Sequence, residues 1–525
     1  MVRHDLRSRG LITGAIMSVV LGCSAVPAVA DVSLYEQGGL KVDGAFTGGL
    51  SLFTSPGAQF GAGSNTAGSG TARRISGRPS WSELFLHPEL KASLTTETAG
   101  TFYGDVSGQL TATGGDGDAS LYSTTYGHPV LLDIENAYAG WRSGKTLTSL
   151  GLEEDALDLS GGRQSFRVGD GFLISNGVNN AGKRGGWWNQ SRSAFAQTGI
   201  VKASHGPVRG DIFYLQNDSS QQKVQVNLDQ AKAKIVGANI EVFGNADQVE
   251  GGPARNGATT YGDRKWYAGL TYFNVVNASN DGPFSFGSTS VRSGGTSNYT
   301  VTNTVTSNRE GMNVLSLHLG GNFIPAVPDF SLYGNYVYES NSRSNSKVDA
   351  SAWYIEPGYQ LSDVLWTPKL SYRYAHFSGD SNPDDDKKTA YDPFFYNSVS
   401  RGYGTWFMGE IVGNYIISNS NVNVHMLNFS VNPRDDLKLS VLGYLYNYDK
   451  KNQYSNGTAT MTSDSLAREI DFVAEWTITE NVSLSGAFAA AQSGGGYRQY
   501  QKTQGFSGND DKTWLLGETS VIVKF

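Results

Sequence analysis

The stretch EIDFVAEWTI (469–478) changes character at almost every residue. Ile470, Phe472, Trp476 and Ile478 fall on one side of an extended chain, and Glu469, Asp471 and Glu475 on the other, because successive strand side chains point to opposite faces. The same period of two runs through NVLSLHLGG (313–321), FSLYGNYVYE (330–339) and KLSYRYAHF (369–377). Strands of this kind build either a sandwich, with the apolar face inside, or a barrel in a bilayer, with the apolar face outside.

The N-terminus points to export. Arg3, Arg7 and Arg9 precede the apolar run LITGAIMSVVLG (11–22), and Ala28-Val29-Ala30 precedes Asp31, the layout of a signal peptide cut after Ala30. A rival reading takes Val20-Leu21-Gly22-Cys23 as a lipoprotein signal with Cys23 as the lipidated first residue. With the Ala30 cut, the one cysteine leaves with the leader, and neither a disulfide nor a thiolate metal site is expected. Beyond residue 30 no run approaches the roughly 18 apolar residues of a membrane-spanning helix.

Two features favour the barrel. Tyr and Trp cluster at strand ends, as in aromatic girdles at membrane interfaces. Connections alternate in length: 205–207, 324–329, 432–436 and 479–481 are short, whereas 55–80, 277–310, 378–405, 448–468 and 490–511 are long and polar. The expectation is an all-β transmembrane antiparallel barrel over 31–525, with short periplasmic turns and long extracellular loops. Its length suits roughly 16–18 strands, eighteen preferred, and an aqueous lumen. Residues 31–39 read as a periplasmic lead-in, with the first strand near 40–53.

Four stretches carry a resemblance. They are IENAYAGWR (134–142); GGRQSFRVGDGFLI (161–174) with WWNQSRSAFAQTGIV (187–201); SYRYAHFSGDSNPDDDKKTAYDPFF (371–395) with Gly402 and Gly404; and REIDF (468–472). Together, in this order, they resemble the alginate-export family of outer-membrane barrels, most clearly over 80–525. The resemblance implies a monomer of about eighteen strands and a constriction lined by arginine that passes a uronic-acid polymer.

The residues can also be weighed by phase. Leu157 and Leu159 share a face with Arg163, which would set a cation in lipid at a cost of about 2–4 kcal/mol. A bulge at Gly161-Gly162 would turn Arg163 inward. Arg373 shares a face with Lys369 and Ser371 without any such device. Arg163, Arg167, Lys369 and Arg373 are therefore candidate lumen cations, attracting anions or pairing with lumen carboxylates such as Glu469, Asp471 and Glu475. In GDSNPDDDKK, Asp380, Asp384 and Asp386 alternate like the start of a calcium loop, but Asp385 and Tyr391 stand where that loop needs Gly and Glu. The plainer reading is a solvated loop, and no cofactor is expected. Lys183-Arg184 fits a headgroup-contacting loop or a pore mouth, and Trp187 and Trp188 fit interfacial anchors or sugar platforms.

Enzymatic readings find no support, since the histidines are scattered and no G-x-S-x-G motif occurs. A net charge of −7 and a pI near 5.6 argue against nucleic acid. The expected function is a channel passing a carbohydrate, including an anionic polysaccharide such as alginate, by passive diffusion. The alternative is a general or substrate-specific porin for small solutes, with a non-conducting adhesive barrel as the third reading. Expected partners are outer-membrane lipid and lipopolysaccharide, the barrel assembly machinery and the transported solute. The chain ends VIVKF, with Phe525, Val523 and Val521 on one face, and the terminal aromatic resembles the signal recognised during barrel assembly.

Overall fold

A computed structural model describes residues 31–64, 77–117, 119, 129–175, 177, 186, 192–217, 232–244, 266–279, 309–343, 347–395, 408–417, 419–454, 461–503 and 511–525. The expected signal peptide (1–30), Lys183-Arg184, Trp187-Trp188, Gly402 and Gly404 lie outside the described residues.

The strands are β1 (Val32–Gln37), β2 (Leu40–Thr54), β3 (Ser80–Thr96), β4 (Gly100–Gly115), β5 (Val130–Arg142), β6 (Leu157–Gln164) and β7 (Phe195–His205). They continue with β8 (Val208–Gln216), β9 (Lys232–Phe243), β10 (Trp266–Ser279), β11 (Asn313–Gly321), β12 (Phe330–Asn341), β13 (Lys347–Gln360) and β14 (Lys369–Phe377). The last are the two-residue β15 (Lys387–Lys388), β16 (Val422–Arg434), β17 (Leu437–Tyr448), β18 (Ser465–Thr479), β19 (Val482–Ser493) and β20 (Trp514–Lys524). β15 lies in a loop, pairing in parallel with β13. The others from β2 onward pair antiparallel with their sequence neighbours, and β2 pairs with β20 from Thr47↔Lys524 to Thr54↔Gly517. The result is a closed barrel of eighteen strands, which leaves no edge to be satisfied in lipid.

Burial along each strand identifies the solvent of the outer wall. In β11, Leu317 is 53% exposed and the adjacent His318 4%. Tyr336, Leu370, Tyr372, Ile470 and Phe472 are likewise exposed, whereas Ser316, Asn335, Glu339, Arg373, Glu469 and Asp471 are buried. A sandwich would show the reverse. An apolar outside over a polar inside belongs to a barrel in a bilayer, and no helix of the described residues is long and apolar enough to span one. Aromatics flank the wall as expected: Tyr272, Tyr338, Trp353 and Tyr374 lie toward the long-loop ends, and Phe102, Trp141, Tyr359 and Trp476 toward the turn ends.

Two expectations need correction. Residues 31–39 are not merely a lead-in, because β1 pairs with the first part of β2, from Val32↔Gly44 to Gln37↔Leu40. It continues the line of β20 along β2, and Phe525 and Phe46 exchange both backbone hydrogen bonds at 2.8 Å just above it. The tight β1–β2 turn has positive φ at Gly38 and Gly39 (60° and 82°), as a two-residue hairpin requires. The short-turn rim is also less uniform than expected: the β5–β6 connection spans 143–156 and the β9–β10 connection 244–265.

Candidate functional site: the barrel interior

The inward faces fall into two tiers. Toward the turn ends they carry Thr271, Ser316, His318, Asn335, Glu356, Ser371 and Arg373. Toward the long-loop ends of the same or neighbouring strands they carry Phe273, Val275, Val314, Val337, Ala350, Ala352, Val424 and Tyr446. An apolar tier inside a lumen must be covered, and three chain segments folded inward cover it. The aqueous lumen expected for this strand number is therefore narrowed, because loops as well as strand side chains occupy it.

The first segment follows β6. Phe166 packs on Phe213 of β8 with centroids 4.9 Å apart, and Phe172 on Tyr354 of β13 and Phe377 of β14 at 5.2 and 5.8 Å. The Gly169 amide donates to Glu241 of β9 (3.2 Å), and the Tyr354 hydroxyl donates to Asp170. The second segment is Tyr391-Asp392-Pro393-Phe394-Phe395. Arg309 grips Asp392 through Nε and Nη2 (2.6 and 2.5 Å), and the Asp392 amide donates to Glu339 (3.0 Å). Phe394 packs edge-on to Phe273 and Phe395 to Phe195. The two segments join each other through a parallel bridge between Ile174 and Phe395, with the Ser175 amide donating to the Phe395 carbonyl at 2.7 Å. They form a strap across the lumen from the β6–β7 wall to the β13–β14 wall. Fully burying aliphatic or phenyl side chains of this size contributes about 1.5–3 kcal/mol each.

The third segment, Met408–Ile417, contains a one-turn helix, α1 (Val412–Tyr415). Glu469 accepts the amides of Ile411 and Val412, and Asp471 that of Glu410. Tyr415 packs on Trp514 of β20 (5.3 Å), itself edge-on to Phe60.

The expected site residues land as follows. The β6–β7 register breaks between Gly162 and Gln164, one residue past the expected bulge at Gly161-Gly162, so that it spans Arg163. Arg163 is mostly withdrawn from solvent, with Nη2 3.7 Å from Glu135 and Nε donating to the Ile134 carbonyl (3.1 Å). Arg192 converges on the same Glu135 (3.6 Å) and on Asp133 (3.6 Å). The other oxygen of Glu135 accepts the amides of Ser193 and Ala194. Arg167 lies in the first inward segment, donating to Ser175 (3.0 Å). Arg373 is buried, with Nε and Nη2 both donating to Glu356 (2.8 and 2.7 Å). Lys369 is half-buried at the turn end of β14, opposite Gln360 and Ser430. Phe525 is exposed.

Asp380, Asp384 and Asp386 do not converge. Asp380 faces Lys388 (3.8 Å) and Asp386 faces Lys347 (3.9 Å), and no group of three or more potential ligands is poised for a metal among the described residues.

Sequence reading passed over Glu135, Arg192, Arg309 and Asp392. Glu135, Arg192 and Asp392 sit inside motifs quoted for the resemblance; Arg309 ends a long polar loop and has no local signal.

Charge in the interior is unbalanced. Among the described buried residues fourteen carry a carboxyl group, and five are lysine or arginine. Of those five cations, Arg192, Arg209, Arg309 and Arg373 are ion-paired.

A closed eighteen-strand barrel with an apolar wall and inward-folded loops defines an outer-membrane protein of the porin kind. The family described as alginate export matches residues 302–505, the same family that the sequence motifs resemble. Among solved structures it is similar to a BenF-like porin from Pseudomonas fluorescens Pf-5, with TM-score 0.53 and 10% identity over 92% of this chain and 98% of that one. It is also similar to Acinetobacter baumannii OccAB2, with TM-score 0.51 and 10% identity over 92% and 97%. No curated protein matches the sequence.

Proposed function

We propose that the barrel is a selective diffusion channel for small polar solutes of carbohydrate size, uncharged or cationic in preference to polyanionic. The observation that carries this reading is the interior charge: buried carboxyl groups exceed buried cations, and most of those cations are paired. Paired guanidinium groups attract a passing anion weakly, while the surplus carboxyl groups that are ionised, unlike Glu410 below about pH 8, repel it. The inward strap adds size restriction. The family match favours a second reading, passage of an acidic polysaccharide, in which the strap would have to move aside.

Planar-bilayer recording separates them. The expected result is a reversal potential showing cation preference, with stronger block by neutral oligosaccharide than by oligouronate. Stronger block by oligouronate would overturn the first reading in favour of the second. We further read the barrel as a monomer in contact with lipopolysaccharide; crosslinking in native membranes tests this, with a homo-oligomer as the contrary result.

A further inference from the structure

Three neighbouring turns at the short-turn rim are tied together, and two of them are apolar. The β11–β12 turn (322–329) exposes Ile324, and the β13–β14 turn (361–368) exposes Leu361, Val364, Leu365 and Trp366. Leu365 is 81% exposed and Trp366 51%. The short turns elsewhere on this rim are polar or minimal: Glu97-Thr98-Ala99, Gly206-Pro207 and Glu480-Asn481.

The apolar turn is held rigidly. Ser362 Oγ donates to Asp329 (2.5 Å), and the Gln360 amide donates to the Asp329 carbonyl (3.0 Å), joining the first two turns. From the end of β16, next to the third turn, the Asn432 amide donates to the Trp366 carbonyl (2.8 Å), and its side chain donates to Thr367 Oγ1 (2.9 Å). Trp366 and Thr367 have φ of 67° and 41°, values costly for residues bearing a Cβ and kept only where surroundings enforce them.

Continuity with the lipid-facing wall indicates what covers this ledge. Phe330, Tyr359, Leu370 and Phe429 form one outward row through β12, β13, β14 and β16. The pairing continues past that row, with the Leu361 amide donating to the Pro368 carbonyl (2.8 Å), and Leu361 keeps the outward phase of Tyr359. The ledge thus begins about 7 Å below the outward row that carries the girdle residue Tyr359, at the boundary between acyl chains and headgroups. Trp is suited to the boundary between headgroups and chains.

We propose that the 361–368 turn is a preformed anchor that seats Leu365 and Trp366 in the periplasmic leaflet, its occupant being phospholipid. It fixes the height and tilt of this sector of the barrel, and Asn432 is its positioning residue.

The test uses the full barrel with Cys23 replaced by Ser, reconstituted in phosphatidylethanolamine–phosphatidylglycerol vesicles. Nitroxide is placed at Leu365→Cys, at Leu370→Cys as the lipid reference, or at Thr98→Cys as the aqueous one. Power saturation should show oxygen favoured over a nickel chelate at 365 as at 370, several-fold more than at 98. Accessibility at 365 matching that at 98 would overturn the proposal and leave the ledge as a surface for a soluble partner. Asn432→Ala should mobilise the label at 365; an unchanged line shape would refute the positioning role.

Discussion

Glu469 holds Val412, 57 residues away in the chain: its Oε2 accepts the Val412 amide at 2.7 Å, while Oε1 accepts that of Ile411 at the same distance. One side chain of the barrel wall thereby caps the first turn of the helix α1 that it draws inward. Replacement by alanine leaves two buried amides unsatisfied, at about 1–3 kcal/mol each. Glu469→Ala is expected to release Met408–Ile417, raising single-channel conductance and exposing the segment to added protease. Retention of the heat-modifiable gel shift would show that the barrel itself is intact.

Seating of the same segment should depend on pH through Glu410. Burial, and then the neighbouring Glu469 carboxylate, push the Glu410 carboxyl up to about 8 from 4.5. Facing it are Glu469 and Asp471 of β18 and, on its own segment, Asn414, which donates to it. Between pH 4.5 and 8 the seated segment holds a proton that the released one has lost, so seating weakens as pH rises. The Glu410 contribution is complete below about pH 4.5 and gone once pH passes about 8. Conductance should accordingly climb as pH rises from about 5 toward 8 and level off above it, and Glu410→Gln should flatten that rise. An identical profile in the variant would assign the effect elsewhere.

The wall was legible from sequence because side-chain direction in a strand is a local property. Leu315, Leu317, Tyr372 and Phe472 could be placed outside, and His318, Arg373 and Asp471 inside, from alternation alone. Alternation says nothing about what a side chain meets inside. Ile174 meets Phe395 and Arg309 meets Asp392 across long sequence separations, and Glu469 and Asp471 lie beneath a loop that no periodicity announces. Glu469 and Asp471, read as lining an open path, hold an inward-folded loop through its backbone amides. Only at Gly161-Gly162 did a local signal, an arginine in phase with Leu157 and Leu159 just beyond two glycines, mark an irregularity in advance.

Arg373 and Glu356 test the clamp reading against a selectivity ring. Both are buried, and the Arg373 guanidinium also lies 5.5 Å over the Tyr354 ring, the phenol that donates to Asp170 of the strap. Removing one member of a buried pair costs about 3–5 kcal/mol, whereas exchanging both for apolar residues is often neutral. Arg373→Met alone should lower the temperature of barrel unfolding in detergent, and Arg373→Met with Glu356→Leu should recover most of the loss. Ion selectivity of the double variant should match the parent, since a neutralised pair contributes no net charge. A marked shift toward cations would instead mark Arg373 as a selectivity residue.

Gly162 and Gly161 separate the bulge from mere glycine richness. Gly162 has φ of 126°, and a Cβ there would lie 2.5 Å from the Ala137 carbonyl oxygen and 2.7 Å from Tyr138 Cα. Its neighbour Gly161 lacks a positive φ, and a Cβ there would meet only the Thr198 carbonyl at 3.4 Å. Gly162→Ala therefore combines backbone strain of about 1–3 kcal/mol with a clash against the backbone of β5, while Gly161→Ala fits. Relief of the clash would move β6 away from β5 at the residue preceding Arg163, lengthening the contact with Glu135 that steadies Ser193 and Ala194 at the start of β7. Gly162→Ala should lose stability in urea unfolding and gain proteolytic sensitivity before β7, whereas Gly161→Ala should match the parent in both. Equal loss in the two variants would show that the sheet tolerates neither side chain and that the bulge has no special part in placing Arg163.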